Sequence, residues 1–387
     1  MADMYNTIMN NKVSKTDNVV RRWFRLCPVR HVLSLLGLLL IGAFFLLRGS
    51  TALMQRVCDG FVRPCHRALS RCCGLVSFSV AEVLIVLALI LALAYFVVFL
   101  IRLICRSGRP RQLYLFFMTC LTAFSLIYGG FCLLWGVYYY SADFEAQSGI
   151  YAEPVSVEQL NAVTRYFTDL VNRYNGEIRR DPEGSFDEDI PAAFDRSANL
   201  YDAAVRTLPC LEGDALQAKP FFFSRCMSYI NFTGFFFPFT GEANINVDFP
   251  SALIPSTIAH ELAHQRGVAE EDEANFVAVL ASLESGDPVY AYSSCLMAYV
   301  YLGNALYAAD YDLWLENYQR LGAGPRRDLA ENNDYWKQFE TPVSTVSDSV
   351  YTGFLESYGQ SDGLKTYGKC VDLLIAYYYA SALEEMQ

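Results

Sequence analysis

Histidine is scarce in this chain of 387 residues: there are four, and beyond residue 140 only His260 and His264. Two incidental core histidines, four apart in an otherwise histidine-free stretch of 247 residues, would be a coincidence. Zinc-finger spacing is missing from the twelve cysteines, which excludes a structural cluster of that type. No small-residue cleavage pattern follows the first apolar run, which argues against a cleaved signal peptide. Positive charge is thin after residue 140, where 15 Lys/Arg face 37 Asp/Glu, a net charge of −22. With no basic stripe to neutralise phosphates, nucleic acid is excluded as a partner. There is no internal repeat.

The first 140 residues are the reverse: 15 Lys/Arg against 4 Asp/Glu, net +11, with three long apolar runs. Val32–Leu47, Phe78–Ile101 and Leu113–Tyr140 hold 16, 24 and 28 residues, the first slightly short for a bilayer. Glu82 lies one turn inside the second. The third finishes Trp135-Gly-Val-Tyr138-Tyr139-Tyr140, an aromatic girdle suited to a membrane–water interface. Lys12, Lys15, Arg21, Arg22, Arg25 and Arg30 precede the first run and keep the N-terminus in the cytoplasm. Arg102, Arg106, Arg109 and Arg111 give the second connection the same character. Three spans from a cytoplasmic start place residues 141–387 outside. The first connection disagrees in part, since it should be external yet carries Arg48, Arg56, Arg63, Arg67 and Arg71. Its Cys58, Cys65, Cys72 and Cys73, beside His66, fit amphipathic packing at the membrane surface better than a metal site. The expected organisation is a basic cytoplasmic N-terminus (1–31), an anchor of three transmembrane helices (32–140) and an acidic extracytoplasmic domain (141–387).

That domain reads as mostly helical. Ser156 caps a helix whose apolar rhythm runs through Leu160, Val163, Phe167 and Leu170. Asn175–Asp189 is a loop, and Asp195–Leu208 a second helix stopped by Pro209. Phe221–Pro250 is aromatic and β-branched, with one or two short strands, the clearer at Asn244-Ile245-Asn246-Val247. After Pro255, Ser256 caps the next helix and Gly267 ends it. A helix from Glu271 to Ser285 and three or four more complete the chain, with turns at Gly322–Pro325 and Gly359–Gly363. Cys210, Cys226, Cys295 and Cys370 offer one or two disulfides if exported thiols are oxidised.

The most informative segment is His260-Glu261-Leu262-Ala263-His264. Residues four apart share a helix face, so both imidazoles can bind one ion. Glu261 then sits where a carboxylate can take a proton from water. Its polar surroundings, Gln265, Arg266 and Glu270–Glu273, keep this helix out of hydrocarbon. A catalytic zinc wants a third protein ligand. HELAHQRGVAE resembles the metzincin arrangement with Glu270 in place of its third histidine. Glu271-Asp-Glu-Ala-Asn275 instead resembles the ExxxD signature of gluzincins, with Glu271 as ligand and Asn275 hydrogen-bonding a ligating histidine. Glu271 is the preferred ligand, with Glu270 and Glu273 as alternatives. Glu242-Ala243-Asn244-Ile245-Asn246 is placed to be the strand edge that zincins use to bind a substrate backbone, through Glu242 and Asn244. Tyr367 and Arg326 are conceivable oxyanion donors that nothing in the sequence selects.

FPFTGEANIN followed by HELAHQRGVAEEDEANF resembles an uncharacterised bacterial membrane family, the domain of unknown function 3810. The likeness extends through Leu69-Ser70, Ser77-Phe78-Ser79 with Glu82, and SYGQSDGLKTYGKCVDLL, and so covers nearly the whole chain. It implies a zincin-type peptidase anchored by N-terminal spans, with a Glu favoured at the position of Glu271, and implies no substrate. One departure is that Val76-Ser77 precede Phe78, where the family's second span usually starts Pro-Phe-Ser.

The expected fold is mainly α: transmembrane helices, then a mostly helical, zincin-like α+β domain with a short strand edge. The expected function is a multi-pass plasma-membrane metallopeptidase using one zinc ion, partnered by the lipid bilayer and a peptide substrate. The alternative is a catalytically silent zinc-binding or zincin-fold membrane protein. A transporter is the weakest reading, since Glu82 alone lines no pathway. A reporter active only outside the cell should be active when fused after Gln387 and silent near Arg109; the reverse pattern would overturn this topology.

Overall fold

The computed structural model describes residues 21–153, 155–358 and 368–386, so Lys12, Lys15, Tyr367 and the Gly359–Gly363 turn lie outside the described residues. Two units form: one from residues up to Gly49 together with Leu84–Leu134, the other from Ser50–Val83 together with Trp135–Gln387. The units therefore do not divide at residue 141, because the first connection and Trp135–Tyr140 belong with the C-terminal chain.

The longer helices of the first third are α1 (Pro28–Leu47), α2 (Arg63–Cys73), α3 (Val80–Cys105) and α4 (Arg109–Leu134). All but α2 are long and apolar enough to cross a membrane. In the first unit α1 and α4 meet at Gly37, where a Cβ would lie 2.6 Å from the Ser125 backbone. Ser34 and Thr122 share a hydrogen bond of 2.8 Å, His31 and Tyr114 one of 2.6 Å. Tyr95 and Thr119, at 2.7 Å, tie α3 to α4. Small and polar contacts of this kind join helices whose outer faces are as apolar as lipid. Leu46, Leu89, Leu93 and Phe117 point outward. The third apolar run is helical only to Leu134; Gly136–Tyr140 is a 3-10 turn. Trp135 and Tyr138 are buried in the second unit, so these aromatics are core residues and not an interfacial girdle.

The second unit contains α5 (Val157–Asn175), α6 (Ile254–Gln265), α7 (Glu271–Glu284), α8 (Pro288–Ala309), α9 (Tyr311–Arg320), α10 (Ala323–Lys337), α11 (Pro342–Ser357) and α12 (Gly368–Glu385). Its strands are β1 (Lys219–Phe221), β2 (Gly234–Phe237) and β3 (Glu242–Asn246). Ser156 starts α5 by a capping box with Gln159, and Asp287 caps α8 ahead of Pro288. Ser256 does not cap α6. It lies inside the first turn with its Oγ on the Leu253 carbonyl, and Pro255 sets the start instead. The helix expected over 195–208 is broken, because Asp189 and Pro191 begin Ile190–Arg196 upstream and only Ala204–Thr207 is helical beyond Asn199. Among the described residues five helices follow α7, one more than the most expected. The core gathers Phe167 of α5, Ile258 and Leu262 of α6, Phe276 and Leu280 of α7, Tyr290 of α8 and Leu374 of α12. All twelve cysteines are free, so the expected bridges do not form: Cys295 and Cys370 are enclosed in the core while Cys226 is exposed.

The sheet order is β1-β3-β2, with β1 parallel and β2 antiparallel to β3. This corrects the expected substrate edge: β3 is central and wholly buried. Glu242 accepts from Lys219 Nζ (2.6 Å) and from the backbone N–H groups of Val80 and Ala81 (3.1 and 2.8 Å). Lys219 spends its other two protons on the carbonyls of Cys73 and Phe78. Asn244 accepts from Ser79 Oγ at 2.6 Å. Both polar residues of the supposed edge are thus fastened to the chain before α3. Because Lys219 and Glu242 are almost fully enclosed, Lys219→Met should cost about 3–5 kcal/mol in denaturant unfolding by stranding the carboxylate; no measurable cost would show the pair to be dispensable.

Candidate metal centre

The site is built by a reversal after α6. Gly267 adopts φ +90°, a region that favours glycine, and a Cβ there would also come within 2.7 Å of the Tyr138 ring. Its N–H closes on the His264 carbonyl (2.9 Å), and Val268 N–H reaches back to Ala263 (3.2 Å). The turned chain presents the Val268 carbonyl to His264 Nδ1 at 2.7 Å. Nδ1 therefore donates to that carbonyl, and Nε2 is the ring nitrogen that faces the site.

The same reversal delivers Glu271, the first residue of α7. Its Oε2 lies 3.1 Å from His260 Nε2 and 3.6 Å from His264 Nε2. One ligand atom from each of the three lies within 4.8 Å of the others. Four tetrahedral ligands about 2.1 Å from a zinc ion stand about 3.4 Å apart, so the donor set and its spacing fit such an ion. The imidazole rings cross edge to face, and Trp135 packs its own edge contact on His264.

Charge follows this geometry. Burial disfavours an ionised Glu271, yet the two imidazoles outweigh it and hold its carboxyl well below the usual range. Burial likewise works against a charged His264, but Glu271 pushes its pKa up to about 9. Glu261 is enclosed, and burial raises its pKa to about 7 despite the neighbouring imidazoles. Its Oε2 is buried without a hydrogen-bond partner among the described residues. Gly234 of β2 crosses so close that a Cβ would lie 2.5 Å from Glu261 Oε1.

The remaining acids of the cluster go elsewhere. Lys369 of α12 takes Glu270 at 2.6 Å and Glu273 at 3.0 Å, with Glu145 at 3.3 Å. Asp143, Glu145 and Glu273 form a second acidic group that this lysine already neutralises in part. Asn275 hydrogen-bonds neither imidazole; it lines a cavity of about 400 Å3 beside His260 and Glu271. Arg326 is exposed and lies over the Tyr318 ring. Among the described residues no metal-ligating group includes His66 or the cysteines near it.

Sequence reasoning missed Tyr351 of α11, whose hydroxyl donates to Glu271 Oε1 at 2.5 Å. It also missed Trp135 and Gly234. No local pattern marks any of them, although Gly234 among three phenylalanines is the sort of glycine that signals a close backbone approach.

A family described as a protein of unknown function, DUF3810, matches residues 58–375. No curated protein and no solved structure matches the chain.

Glu271→Ala should weaken zinc affinity by more than the roughly 10- to 100-fold typical of losing a supporting partner, while Glu270→Ala should barely change it. Competition with a chromophoric chelator measures both; equal, small losses would remove Glu271 from the ligand set.

Proposed function

We propose that this chain, which belongs to the family of proteins of unknown function DUF3810, is a membrane-anchored zinc hydrolase of peptidase type with its second unit on the extracytoplasmic side. The observation that carries the reading is the pairing of a three-ligand cluster with the buried carboxylate of Glu261, one residue along α6 from His260, whose Oε2 has no hydrogen-bond partner among the described residues. A structural metal site needs no such base.

His260, His264 and Glu271 would hold the ion, which supplies a Lewis acid that polarises a carbonyl and acidifies water. Glu261 takes the proton from the attacking water and later returns it to the leaving amine. Tyr351 brings a hydroxyl donor to the rim of the ligand set.

The substrate strand has a place beside β2 rather than β3. Asn246 N–H bonds the Thr233 carbonyl, so by the alternation of an antiparallel pair Phe235 and Phe237 face β3. The backbone groups of Gly234 and Phe236 then face away from the sheet, and Gly234 lies against Glu261. A peptide added there passes the proton acceptor. Among the described residues the cavity beside His260 is lined by Phe249, Leu253, Met297, Tyr301 and Trp336 together with Glu271 and Asp272, and by no Lys or Arg, which disfavours an acidic side chain.

Metal analysis of the purified protein should find one zinc ion, lost in His264→Ala. Glu261→Gln should keep the metal and the melting temperature yet cut peptide turnover by roughly a hundred- to ten-thousandfold. Equal turnover in both forms would exclude Glu261 as the base. Stoichiometric zinc with no peptide cleaved from a broad library would favour the silent scaffold.

A further inference from the structure

Glu82 is the one acid in α3, and both its oxygens are engaged: Oε2 accepts from Phe222 N–H at 2.9 Å and Oε1 from Phe223 N–H at 2.8 Å. At the other end of β1, Lys219 donates to the carbonyls of Cys73 and Phe78 (2.7 and 3.0 Å). Residues 73–82 and 219–223 are therefore laced together at two points. Glu82 and Lys219 are the only charged residues in either segment, and both are turned inward.

What the laced segments turn outward is apolar. Phe222 and Leu75 are each 85% exposed, Phe78 55% and Phe223 46%. The Phe222 and Phe223 rings meet edge to face, 5.1 Å apart. Large apolar side chains held uncovered on a rigid frame mark an interaction surface. The chain itself indicates what covers it. Glu82 sits in the first turn of a helix that then runs uncharged from Val83 to Ile101 and is long enough to cross a membrane. The carboxylate thus fixes the Phe222–Phe223 tip at the level where that apolar run begins.

We propose that Phe222 and Phe223, with Leu75 and Phe78, form a wedge seated in a lipid bilayer at the boundary between headgroups and acyl chains, set at that depth by Glu82. Aromatic and branched apolar side chains without neighbouring charge are what that boundary accepts. Glu82 is then neither a relay nor a pathway residue but the pin between a membrane helix and β1. The wedge rests on the membrane-anchored reading above, and the test separates the two.

Photoreactive benzoylphenylalanine is placed at Phe222, at Leu93 on the outer face of α3, or at Val346 on the exposed face of α11, in the full chain reconstituted in nanodiscs of phosphatidylethanolamine and phosphatidylglycerol. Irradiation should give lipid adducts at 222 and 93 and none at 346. Adding Glu82→Ala should lower the adduct at 222 several-fold and leave that at 93 unchanged. An adduct at 93 with none at 222, or a protein adduct at 222 in place of lipid, overturns the wedge while the anchor stands. No lipid adduct at 93 overturns the membrane reading itself.

Discussion

The reversal between α6 and α7 is the constraint on which the site depends. Five residues separate the last residue of α6 from the first of α7, and within them Gly267 must take a left-handed conformation against the Tyr138 ring. That turn performs two tasks. It offers the Val268 carbonyl that fixes the His264 tautomer, and it starts α7 with Glu271 facing both imidazoles. The helix N-terminus favours an anion at that point as well. Four consecutive acids follow the turn, and their charges are sorted by partner: Glu271 goes to the histidines, while Glu270 and Glu273 go to Lys369.

Behind the site, the central strand carries polar side chains where a core usually carries apolar ones. Glu242, Asn244 and Asn246 are all buried, and each is satisfied by groups far away in sequence. Lys219 and the start of α3 answer Glu242, Ser79 answers Asn244, and Ser228 with the Phe232 carbonyl answers Asn246. Such a network specifies one register, since a slip would strand several buried polar groups at once. It also ties residues 73–81 to β1 and β3 within the second unit, so the first connection is structural support rather than a free loop. With β3 enclosed, β1 and β2 are the two edge strands of the sheet, and β2 runs past Glu261.

Much of this was legible in the residues themselves. A capping signal placed α5, and the apolar runs marked α1, α3 and α4. Spacing put His260 and His264 on one face, and Gly267 announced a helix end. Two errors arose where a residue had two physically sound uses. Trp135 and Tyr138 suit a membrane interface and also suit a core; here they pack on His264 and His66. Alternating Asn and Ile in Glu242–Asn246 suits a half-exposed edge, but both faces of that strand are covered.

Local chemistry, read along the chain, determined which segments are helical, which are apolar enough for a membrane, and that two histidines and a glutamate share one helix. These depend on neighbours within a few residues, whose spacing the chain itself sets. Only the tertiary structure decided which of the acids after Gly267 faces the imidazoles, that Tyr351 and Trp135 stand beside them, and that Glu82 holds Phe222 and Phe223. Each of those is a contact between elements distant along the chain, chosen by packing and by the need to partner buried polar groups, and periodicity carries no record of what lies opposite.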